Sequence, residues 1–295
     1  EKENIKSILN QKNIDVHIYV SLDISSDSTI EILNKIIDKD KRVILLPYGE
    51  KFGNAAKNFY RLIKDVDFSN YDFISFSDQD DIWKENKLQN SCKAIREKNC
   101  DGFSSNVLAF WPNGKIKLIK KSQPQVKYDY FFESAGPGCS YVIKADLALN
   151  LKKFILDNYT ICQNIDLHDW FIYAYSRYNK YKWFISDEPL LLYRQHQSNY
   201  IGARVGLKAY VYRFRKILDK WYSEEIRKIY KCVTGNEEII ILKKKWLFRN
   251  IFNLRRRNTD KLLLGITSSS FIPIVSPNPS QFLHAPKGLL KRNKW

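Results

Sequence analysis

The sequence predicts an α/β protein in which helices flank a mostly parallel central sheet. Two alternating patterns in its first third support this class. Short continuous apolar segments are typical of buried strands, and they alternate with segments whose apolar residues recur every three or four positions, as in amphipathic helices. The alternation predicts consecutive βα units, because two parallel neighbours must be joined by a crossover, which is usually a helix.

Local signals mark each element of the first half. An apolar helical stripe indicates a helix over residues 1–11, and apolar–polar alternation indicates a strand over residues 16–20. Ser26 or Asp27 is expected to cap the next helix, and glycine and proline residues separate the elements that follow. In order, those elements are expected at residues 30–37 (helix), 43–46 (strand), 55–64 (helix), 73–76 (strand) and 84–97 (helix).

The second half continues less regularly. A strand over residues 102–110 is expected to end at the turn signal Pro112-Asn113-Gly114, whose Asn-Gly pair is typical of hairpins. Asp146 is expected to cap a helix that ends near residue 156. The remaining elements are expected at residues 128–133 (short helix), 140–143 (strand), 168–178 (helix), 183–185 (strand) and 190–193 (strand).

Composition and charge suggest two regions. With 44% hydrophobic and 14% aromatic residues among 295, the chain buries a sizeable core, which excludes wholesale disorder. We expect a folded domain over residues 1–204 and a basic helical appendage over residues 205–295, because long basic amphipathic stretches begin there. The net charge of +17, which is concentrated after about Arg204, favours an anionic partner.

Cysteine spacing and apolar runs bear on the compartment. The five cysteines are scattered and lack metal-ligand spacing, which is typical of reduced thiols in a cytosolic protein. We see no signal peptide and no run of about 18 apolar residues that would predict a transmembrane helix. The chain contains no methionine and opens in an expected helix, so we expect the natural N-terminus to lie upstream.

The strongest chemical signal is a group of acids after the strand at residues 73–76. Asp78, Asp80 and Asp81 lie within four residues of sequence. Carboxylates this close raise each other's pKa unless a cation or hydrogen-bond donors hold them ionised. A divalent cation at the carboxyl end of the strand explains all three acids. The alternative is a solvated turn in which Asp81 caps the next helix, and this leaves the other two acids unexplained.

Three further motifs are ambiguous one by one. The polar loop at residues 21–29 joins a strand to a helix, where nucleotides bind, and its Asp23 suits a base, although an ordinary capped turn also fits. Asp169 opens a helix and is either a cap or, among bulky neighbours, a general base. Arg194 and His196 follow a strand and combine a fixed cation with an imidazole that is able to ligate a metal.

Taken in order, these motifs resemble those of family 2 glycosyltransferases with the Rossmann-like GT-A fold, in the bacterial polysaccharide group that includes rhamnosyltransferase-like enzymes. The resemblance covers about residues 1–203. Its specific motifs are Asp-Gln-Asp-Asp-Ile-Trp at residues 78–83 and Tyr-Arg-Gln-His at residues 193–196. The supporting motifs are the loop at residues 21–29, Gly-Asn-Ala-Ala-Lys-Asn-Phe at residues 53–59 and His-Asp-Trp at residues 168–170.

The resemblance implies an inverting transfer of a sugar from a nucleotide-diphosphate donor, with UDP or dTDP as the nucleotide, to a hydroxyl of a glycan or lipid-linked glycan. It implies O-antigen- or capsule-like polysaccharide synthesis, Mn²⁺ or Mg²⁺ as the cofactor, and no nucleic acid as a partner. The implied roles are Asp169 as general base; Asp80 and His196 as metal ligands; Asp23, Lys57, Asn58, Asp78 and Arg194 as nucleotide-sugar contacts; and Gly138, His168 and Trp170 on the acceptor side.

Two departures from the family pattern affect these expectations. The family's first strand, whose residues normally contact the nucleotide, is absent from this sequence. Leu22 stands where the family usually has the first acid of a pair, so Asp23 alone is left to meet the base. We therefore expect looser selectivity for the base.

The basic segment at residues 208–257 is expected to dock on the anionic inner leaflet, which places the protein in the cytoplasm at the membrane surface. A solvated helical face or a dimer interface is an equal alternative. Two other functions fit the residues less well. An aspartyl-nucleophile phosphatase explains Asp78 and Asp80 but not the motif at residues 193–196. A nucleic-acid-binding protein explains the charge, but its acid cluster would repel phosphate.

Overall fold

The structure is a computed structural model that describes residues 2–25, 27–196 and 221–235. Helices and strands alternate along it, as expected. The helices are α1 Lys2–Leu9, α2 Thr29–Lys39, α3 Ala55–Asp65, α4 Lys87–Glu97, α5 Ala145–Asp157, α6 Tyr159–Cys162, α7 His168–Tyr178 and α8 Trp221–Thr234. The strands are β1 Ile18–Val20, β2 Val43–Leu45, β3 Phe73–Ser75, β4 Ile82–Trp83, β5 Gly102–Ser105, β6 Val107–Phe110, β7 Ile116–Ile119, β8 Val142–Lys144, β9 Trp183–Ser186 and β10 Leu191–Arg194.

The described strands form three sheets. One pairs β1 with β2, and the others have the orders β3-β8-β5-β9 and β4-β10-β6-β7. Three of the pairings are parallel, β1 with β2, β5 with β9 and β6 with β10, and the other four are antiparallel. The α/β class with flanking helices is confirmed, while the pairing is more mixed than the mostly parallel sheet expected. Apolar periodicity identifies a strand but not its partner, and β4, β7 and β8 each run against their neighbours.

The strand expected over residues 102–110 is two strands in different sheets. They separate at Asn106, which is buried. Its side-chain amide donates to the carbonyl oxygen of Asp187 at 2.8 Å, and its Oδ1 accepts the backbone N–H groups of Lys121 and Ser122. These hydrogen bonds join the point where the chain changes sheet to the backbone just after β7 and just after β9, which a hydrophobic pattern does not reveal.

The helix expected to start near residue 84 starts at Lys87, after the two-residue strand β4. Asn86 occupies its N-cap position, so the alternative in which Asp81 caps this helix is wrong. Asp81 is instead fully buried and accepts the backbone N–H of Arg194 at 3.1 Å. The acid cluster is thus hydrogen-bonded to the end of β10, and Asp81 is not exposed to solvent.

Smaller differences concern helix ends. The short helix expected over residues 128–133 is a single 3-10 turn, Asp129–Phe131. Lys144 rather than Asp146 occupies the N-cap position of α5, so Asp146 lies in the first turn. Ser28 rather than Asp27 occupies the N-cap position of α2, and Ser26 lies outside the described residues. Asp27, one residue earlier, supports the helix start by accepting the N–H of Thr29 at 2.9 Å.

The largest core cluster is built mainly by α3, α5, α7 and α8 packed beside the β3-β8-β5-β9 sheet. Helix α7 is its centre, since every residue from Trp170 to Ser176 is buried. Helix α8 adds Ile229, Tyr230, Cys232 and Val233 to the same cluster, so it packs as part of the main core. The rest of the expected appendage lies outside the described residues. In the described part of the chain, no helix has the length and apolar character needed to cross a membrane.

Candidate active site

The acid cluster occupies the loop between β3 and β4, and its carboxylates have different surroundings. Asp81 is fully buried, and its Oδ2 makes no hydrogen bond within the described residues. Ligand atoms of Asp78, Asp81 and Cys139 all lie within 4.8 Å of one another. Asp78 and Asp81 therefore form an inner pair of acids, whereas Asp80 lies outside this group and its side chain is partly exposed.

Burial raises the pKa of both inner carboxyl groups. It brings Asp81 to a pKa of about 8, with the charge of Asp78 adding to the effect. It brings Asp78 to a pKa of about 7, with the charges of Asp80 and Asp169 adding to the effect. The repulsion between carboxylates that the sequence predicts is therefore present. Because the charge of Asp169 also raises the pKa of Asp78, the start of α7 lies near the acid cluster.

A lysine that the sequence analysis missed lies behind the cluster. Lys87 is fully buried in the first turn of α4. Its Nζ donates to Ser75 Oγ at 3.0 Å and lies 3.4 Å from the ring centroid of Trp83. Burial lowers the pKa of Lys87 to about 7, and the nearby charge of Asp81 opposes this shift. Nothing in the helical pattern marks this side chain as buried.

Two distant motifs meet at Asp80. The Oδ2 of Asp80 lies 2.6 Å from His196 Nε2, and its backbone oxygen accepts from Arg194 Nε at 2.8 Å. Arg194 also contacts Glu3 Oε2 at 2.6 Å and lies over the ring of Phe110. The structure therefore brings together the predicted metal ligands and the predicted diphosphate contact, because β10 pairs with β4 directly after the acid loop.

The residues around Asp80 fit a divalent cation. Asp80 Oδ2 and His196 Nε2 lie 2.6 Å apart in direct hydrogen-bond contact, so a cation that entered between them would meet a carboxylate oxygen, which suits Mg²⁺ or Mn²⁺, and an imidazole nitrogen. The buried Oδ2 of Asp81, without a partner in the described chain, adds an oxygen to the same loop.

Asp169 lies in the first turn of α7. Its Oδ1 accepts the N–H of Trp170 at 2.7 Å. Burial raises the pKa of Asp169 to about 6, and this hydrogen bond and the charge of Lys121 oppose the shift. The helix start stabilises the ionised carboxylate through its free N–H groups. Asp169 is therefore a carboxylate at neutral pH with a higher proton affinity than an exposed aspartate.

The other residues expected on the acceptor side lie in two places. His168 and Gly138 are in contact, since a Cβ added to Gly138 would lie 2.5 Å from His168 Nε2 and 3.3 Å from Asp169 Cβ. Burial lowers the pKa of His168 to about 3, so its imidazole is neutral. Trp170 lies in the core, 2% exposed, and its Nε1 donates to the carbonyl oxygen of Tyr130 at 2.8 Å.

The residues expected to contact the nucleotide hold loops in place. Both carboxylate oxygens of Asp23 accept backbone N–H groups, from Phe52 and Gly53. Asn58 Nδ2 donates to the carbonyl oxygen of Ser21 at 3.1 Å. The backbone N–H of Lys57 donates to the side chain of the N-cap residue of α3.

Arg61, a second residue that the sequence analysis missed, underlies this loop. Its side chain is 3% exposed. Its guanidinium donates to Ser21 Oγ at 2.9 Å, to the carbonyl oxygen of Pro47 at 2.6 Å and to Asp65 Oδ2 at 3.0 Å. An arginine in a helical pattern is ordinarily exposed, so nothing in the sequence marked it.

Comparison with known proteins identifies the family. The model described as Glycosyl transferase family 2 matches residues 2–134. The chain is 42% identical over 270 residues to the dTDP-rhamnosyl transferase RfbG of Shigella flexneri, an alignment that covers 89% of this chain and 93% of that protein. The chain belongs to glycosyl transferase family 2.

A second relative supports the assignment to this family. The chain is 39% identical over 129 residues to a Haemophilus influenzae protein described as an uncharacterized glycosyltransferase, and the alignment covers 43% of this chain and 49% of that protein. The phosphatase and nucleic-acid-binding alternatives receive no support from these matches. The expected function in sugar transfer for polysaccharide synthesis is therefore confirmed.

Solved structures support the fold of the glycosyltransferase. The mannosyltransferase PcManGT of Pyrobaculum calidifontis, in complex with GDP-Man and Mn²⁺, superposes with a TM-score of 0.52 at 12% identity, covering 89% of this chain and 65% of that one. TarS 1-349 of S. aureus in complex with UDP-GlcNAc gives a TM-score of 0.51 at 16% identity, with coverages of 88% and 79%. The expected GT-A fold is confirmed.

Proposed function

We propose that this glycosyltransferase moves a sugar from a dTDP-activated donor to a hydroxyl of a glycan or lipid-linked glycan, with inversion at the anomeric carbon. The observation that carries the proposal is the half-buried carboxylate of Asp169, which lies against Gly138. The next residue, Cys139, has its sulfur within 4.8 Å of ligand atoms of Asp78 and Asp81, so Asp169 lies beside the acid cluster. A single base beside the donor site favours in-line displacement, because retention would need a separate nucleophile. The 42% identity to a protein named dTDP-rhamnosyl transferase supports this donor class.

In the proposed reaction, an acceptor oxygen attacks the anomeric carbon and its proton passes to a carboxylate oxygen of Asp169. The bond between the anomeric carbon and the phosphate oxygen breaks, and its electron pair stays on the diphosphate. A base whose pKa is about 6 accepts the proton more readily than an exposed aspartate and is still ionised at neutral pH.

Asp80 and His196 would hold Mn²⁺ or Mg²⁺, which when bound neutralises charge on the leaving diphosphate. Arg194, whose Nε already bonds the backbone of Asp80, would exchange its exposed contact with Glu3 for the diphosphate. Asp78 would orient the ribose. The roles of Asp80, Arg194 and His196 use side chains that meet where β10 pairs with β4 after the acid loop.

At the nucleotide end, Asp23 would shape the base site through the loop at Phe52 and Gly53, whose N–H groups it accepts. Lys57 and Asn58 lie at the start of α3 beside this loop and would contact the nucleotide. At the other end, Gly138 and His168 would border the acceptor. Trp170 would act from the core by fixing the first turn of α7.

A donor panel tests the proposal. The full chain is incubated with dTDP-rhamnose, UDP-glucose, UDP-GlcNAc and GDP-mannose, with octyl glycosides as acceptors and Mn²⁺ or EDTA, and the release of nucleotide diphosphate is measured. We expect metal-dependent turnover of dTDP-rhamnose, lowered about 100-fold or more by Asp169→Asn. The exposed Asp157→Asn, at the end of α5, should act as wild type. Wild-type turnover in the Asp169 variant would disprove the proposed base.

A membrane role is a second proposal for the basic residues 208–257, of which only 221–235 are described. Exposed Arg227 and Lys231 on α8 agree with an electrostatic attraction to anionic lipid. Flotation of the full chain with vesicles of phosphatidylglycerol and phosphatidylcholine tests it. We expect co-flotation at low salt that is lost at high salt and in vesicles of phosphatidylcholine alone. Absence of flotation with the anionic vesicles would contradict the proposal.

A further inference from the structure

A buried glutamate from α8 holds the segment that leads into α7. Glu225 is fully buried. Its Oε1 accepts the backbone N–H of Asp166 at 2.6 Å and that of Leu167 at 3.2 Å. Leu167 is the N-cap residue of α7, and it has no side-chain capping bond. The carboxylate of Glu225 therefore supplies, from another helix, the hydrogen bonds that order the chain just before His168 and Asp169.

Charged and aromatic neighbours fix Glu225 in turn. Lys228 Nζ lies 3.2 Å from Glu225 Oε2 and 3.7 Å from Asp166 Oδ2. Trp221 Nε1 donates to the same oxygen of Asp166 at 3.3 Å. A buried carboxylate is costly unless it is paired and hydrogen-bonded, and here both of its oxygens are engaged. The network therefore specifies one position of α8 against the start of α7.

Aromatic packing extends this contact. Tyr222 of α8 packs against Trp170 with ring centroids 5.3 Å apart, and its hydroxyl donates to the carbonyl oxygen of Phe132. Trp170 is the residue whose N–H binds Asp169 Oδ1. Helix α8 thus contacts α7 on both sides of Asp169, through Glu225 before it and through Tyr222 after it.

We propose that Glu225 is a positioning residue for Asp169: by binding the N–H groups of Asp166 and Leu167, it sets the first turn of α7 and the placement of the Asp169 carboxylate. This inference rests on the proposed function, in which Asp169 takes the acceptor proton. It makes α8 part of the catalytic unit, although α8 lies beyond the boundary expected at residue 204. Displacing a catalytic base by about 1 Å lowers the reaction rate by up to about 100-fold. Glu225 therefore affects turnover through the position of Asp169, without contacting the substrate.

The test compares Glu225→Ala and Glu225→Gln with Glu224→Gln, a matched control because Glu224 is the exposed neighbour on the same helix. The full chain is assayed with dTDP-rhamnose and octyl glycosides for kcat, for KM of the donor, and for the pH dependence of kcat. We expect Glu225→Ala to lower kcat about tenfold or more and to shift the acidic limb of the pH profile, with donor KM within about twofold. Glu225→Gln keeps an accepting oxygen and should fall between Ala and wild type, and Glu224→Gln should match wild type.

Thiol labelling reports the position of α8 independently of activity. The sulfur atoms of Cys162 and Cys232 lie 3.6 Å apart, one on α6 and one on α8, and both side chains are buried. N-ethylmaleimide should therefore reach them only when α8 moves away, and mass spectrometry of the two peptides measures the rate of labelling. Equally slow labelling in wild type, Glu225→Ala and Glu225→Gln shows that α8 is docked in all three, so a loss of kcat is then assigned to the position of Asp169 rather than to unfolding.

The outcomes separate the two proposals. Full transfer by Asp169→Asn overturns the proposed base, whatever Glu225 does. Loss of transfer in Asp169→Asn, together with wild-type kcat and pH profile in a folded Glu225→Ala, overturns the positioning role alone. If Glu225→Ala does not fold, Lys228→Met and Glu225→Gln decide: reduced kcat in both supports the role, and wild-type kcat in both overturns it.

Discussion

The imidazole ring of His168 stacks on the phenyl ring of Phe59, with ring centroids 3.9 Å apart and planes 23° from parallel. Phe59 belongs to α3 and also packs edge-on against Phe76, which follows β3 just before the acid cluster. His168 Nε2 is buried without a hydrogen-bond partner in the described chain, facing the backbone of Gly138. The start of α7 is thus held between a ring of α3 and a glycine loop.

Gly138→Ala should disturb the candidate base through this contact. The added Cβ would lie 2.5 Å from His168 Nε2, and the stack on Phe59 prevents the imidazole from moving away. We expect a loss of about 1–3 kcal/mol in the free energy of unfolding. We also expect a lower kcat, because Asp169 follows His168 directly.

Gly102→Ala is the control for this prediction. An added Cβ there would overlap the indole of Trp183, between β5 and β9 and away from the acid cluster. It should destabilise the fold by a similar amount and leave kcat unchanged under conditions where both variants are folded. Urea unfolding and kcat measured on both variants check the pair. Equal effects of the two variants on kcat would contradict the specific role of Gly138.

Activity should depend on pH through Asp169. Burial raises the pKa of Asp169 to about 6, and a general base must be ionised. We therefore expect kcat/KM to rise with pH through about 6 and then to level off, where an exposed aspartate would give a limb near pH 4. Initial rates between pH 4.5 and 8.5, at saturating metal, measure this limb. A profile that is flat across this range would contradict the assignment.

The same pKa predicts a gain in stability from Asp169→Asn. With its pKa raised in the folded state, Asp169 favours folding most below its unfolded pKa and loses that contribution as pH rises through about 6. The asparagine variant, which has no charge to bury, should therefore exceed the wild type in Tm by more at pH 8 than at pH 5. Thermal unfolding at the two pH values checks the sign, and a larger gain at pH 5 would refute it.

Metal removal should abolish transfer, and the dependence should involve Asp80. Dialysis against EDTA is expected to stop turnover, and Mn²⁺ is expected to restore it. Asp80→Asn weakens an oxygen ligand, so it should raise the Mn²⁺ concentration needed for half-maximal rate about tenfold or more. Asp72→Asn is the matched control, because Asp72 is an exposed acid just before β3. Full activity in EDTA would exclude a catalytic metal.

The buried hydrogen bonds of Arg61 should contribute to the free energy of unfolding. Arg61→Lys removes the fork of donors that serves Ser21, Pro47 and Asp65, and a lysine is unable to reach all three. We expect a loss of about 2–4 kcal/mol in the free energy of unfolding. Arg42→Lys, which alters a more exposed pair with Asp40, should cost less than about 1 kcal/mol. Equal losses in urea unfolding would show that the buried contacts of Arg61 are not stabilising.

Sequence patterns predicted most of the elements and the cluster of acids. The bounds of α7 and β3 lie close to the expected residues 168–178 and 73–76, because consecutive aromatic and apolar residues mark the segments that pack in the core. Pairing was harder to predict. The segment at residues 102–110 reads as one strand, yet Asn106 divides it between two sheets through hydrogen bonds with residues that follow much later in the chain.

The sequence by itself determined the α/β class, the family motifs and the chemistry that their carboxylates, imidazole and guanidinium allow, since residue type and order carry that information. Only the tertiary structure decided which groups are buried and which lie together. It placed His196 against Asp80, Asp81 against the backbone of Arg194, and Glu225 beneath the start of α7. The physical reason is that burial and pairing, which shift pKa values and fix side chains, depend on contacts between residues that are far apart in the chain.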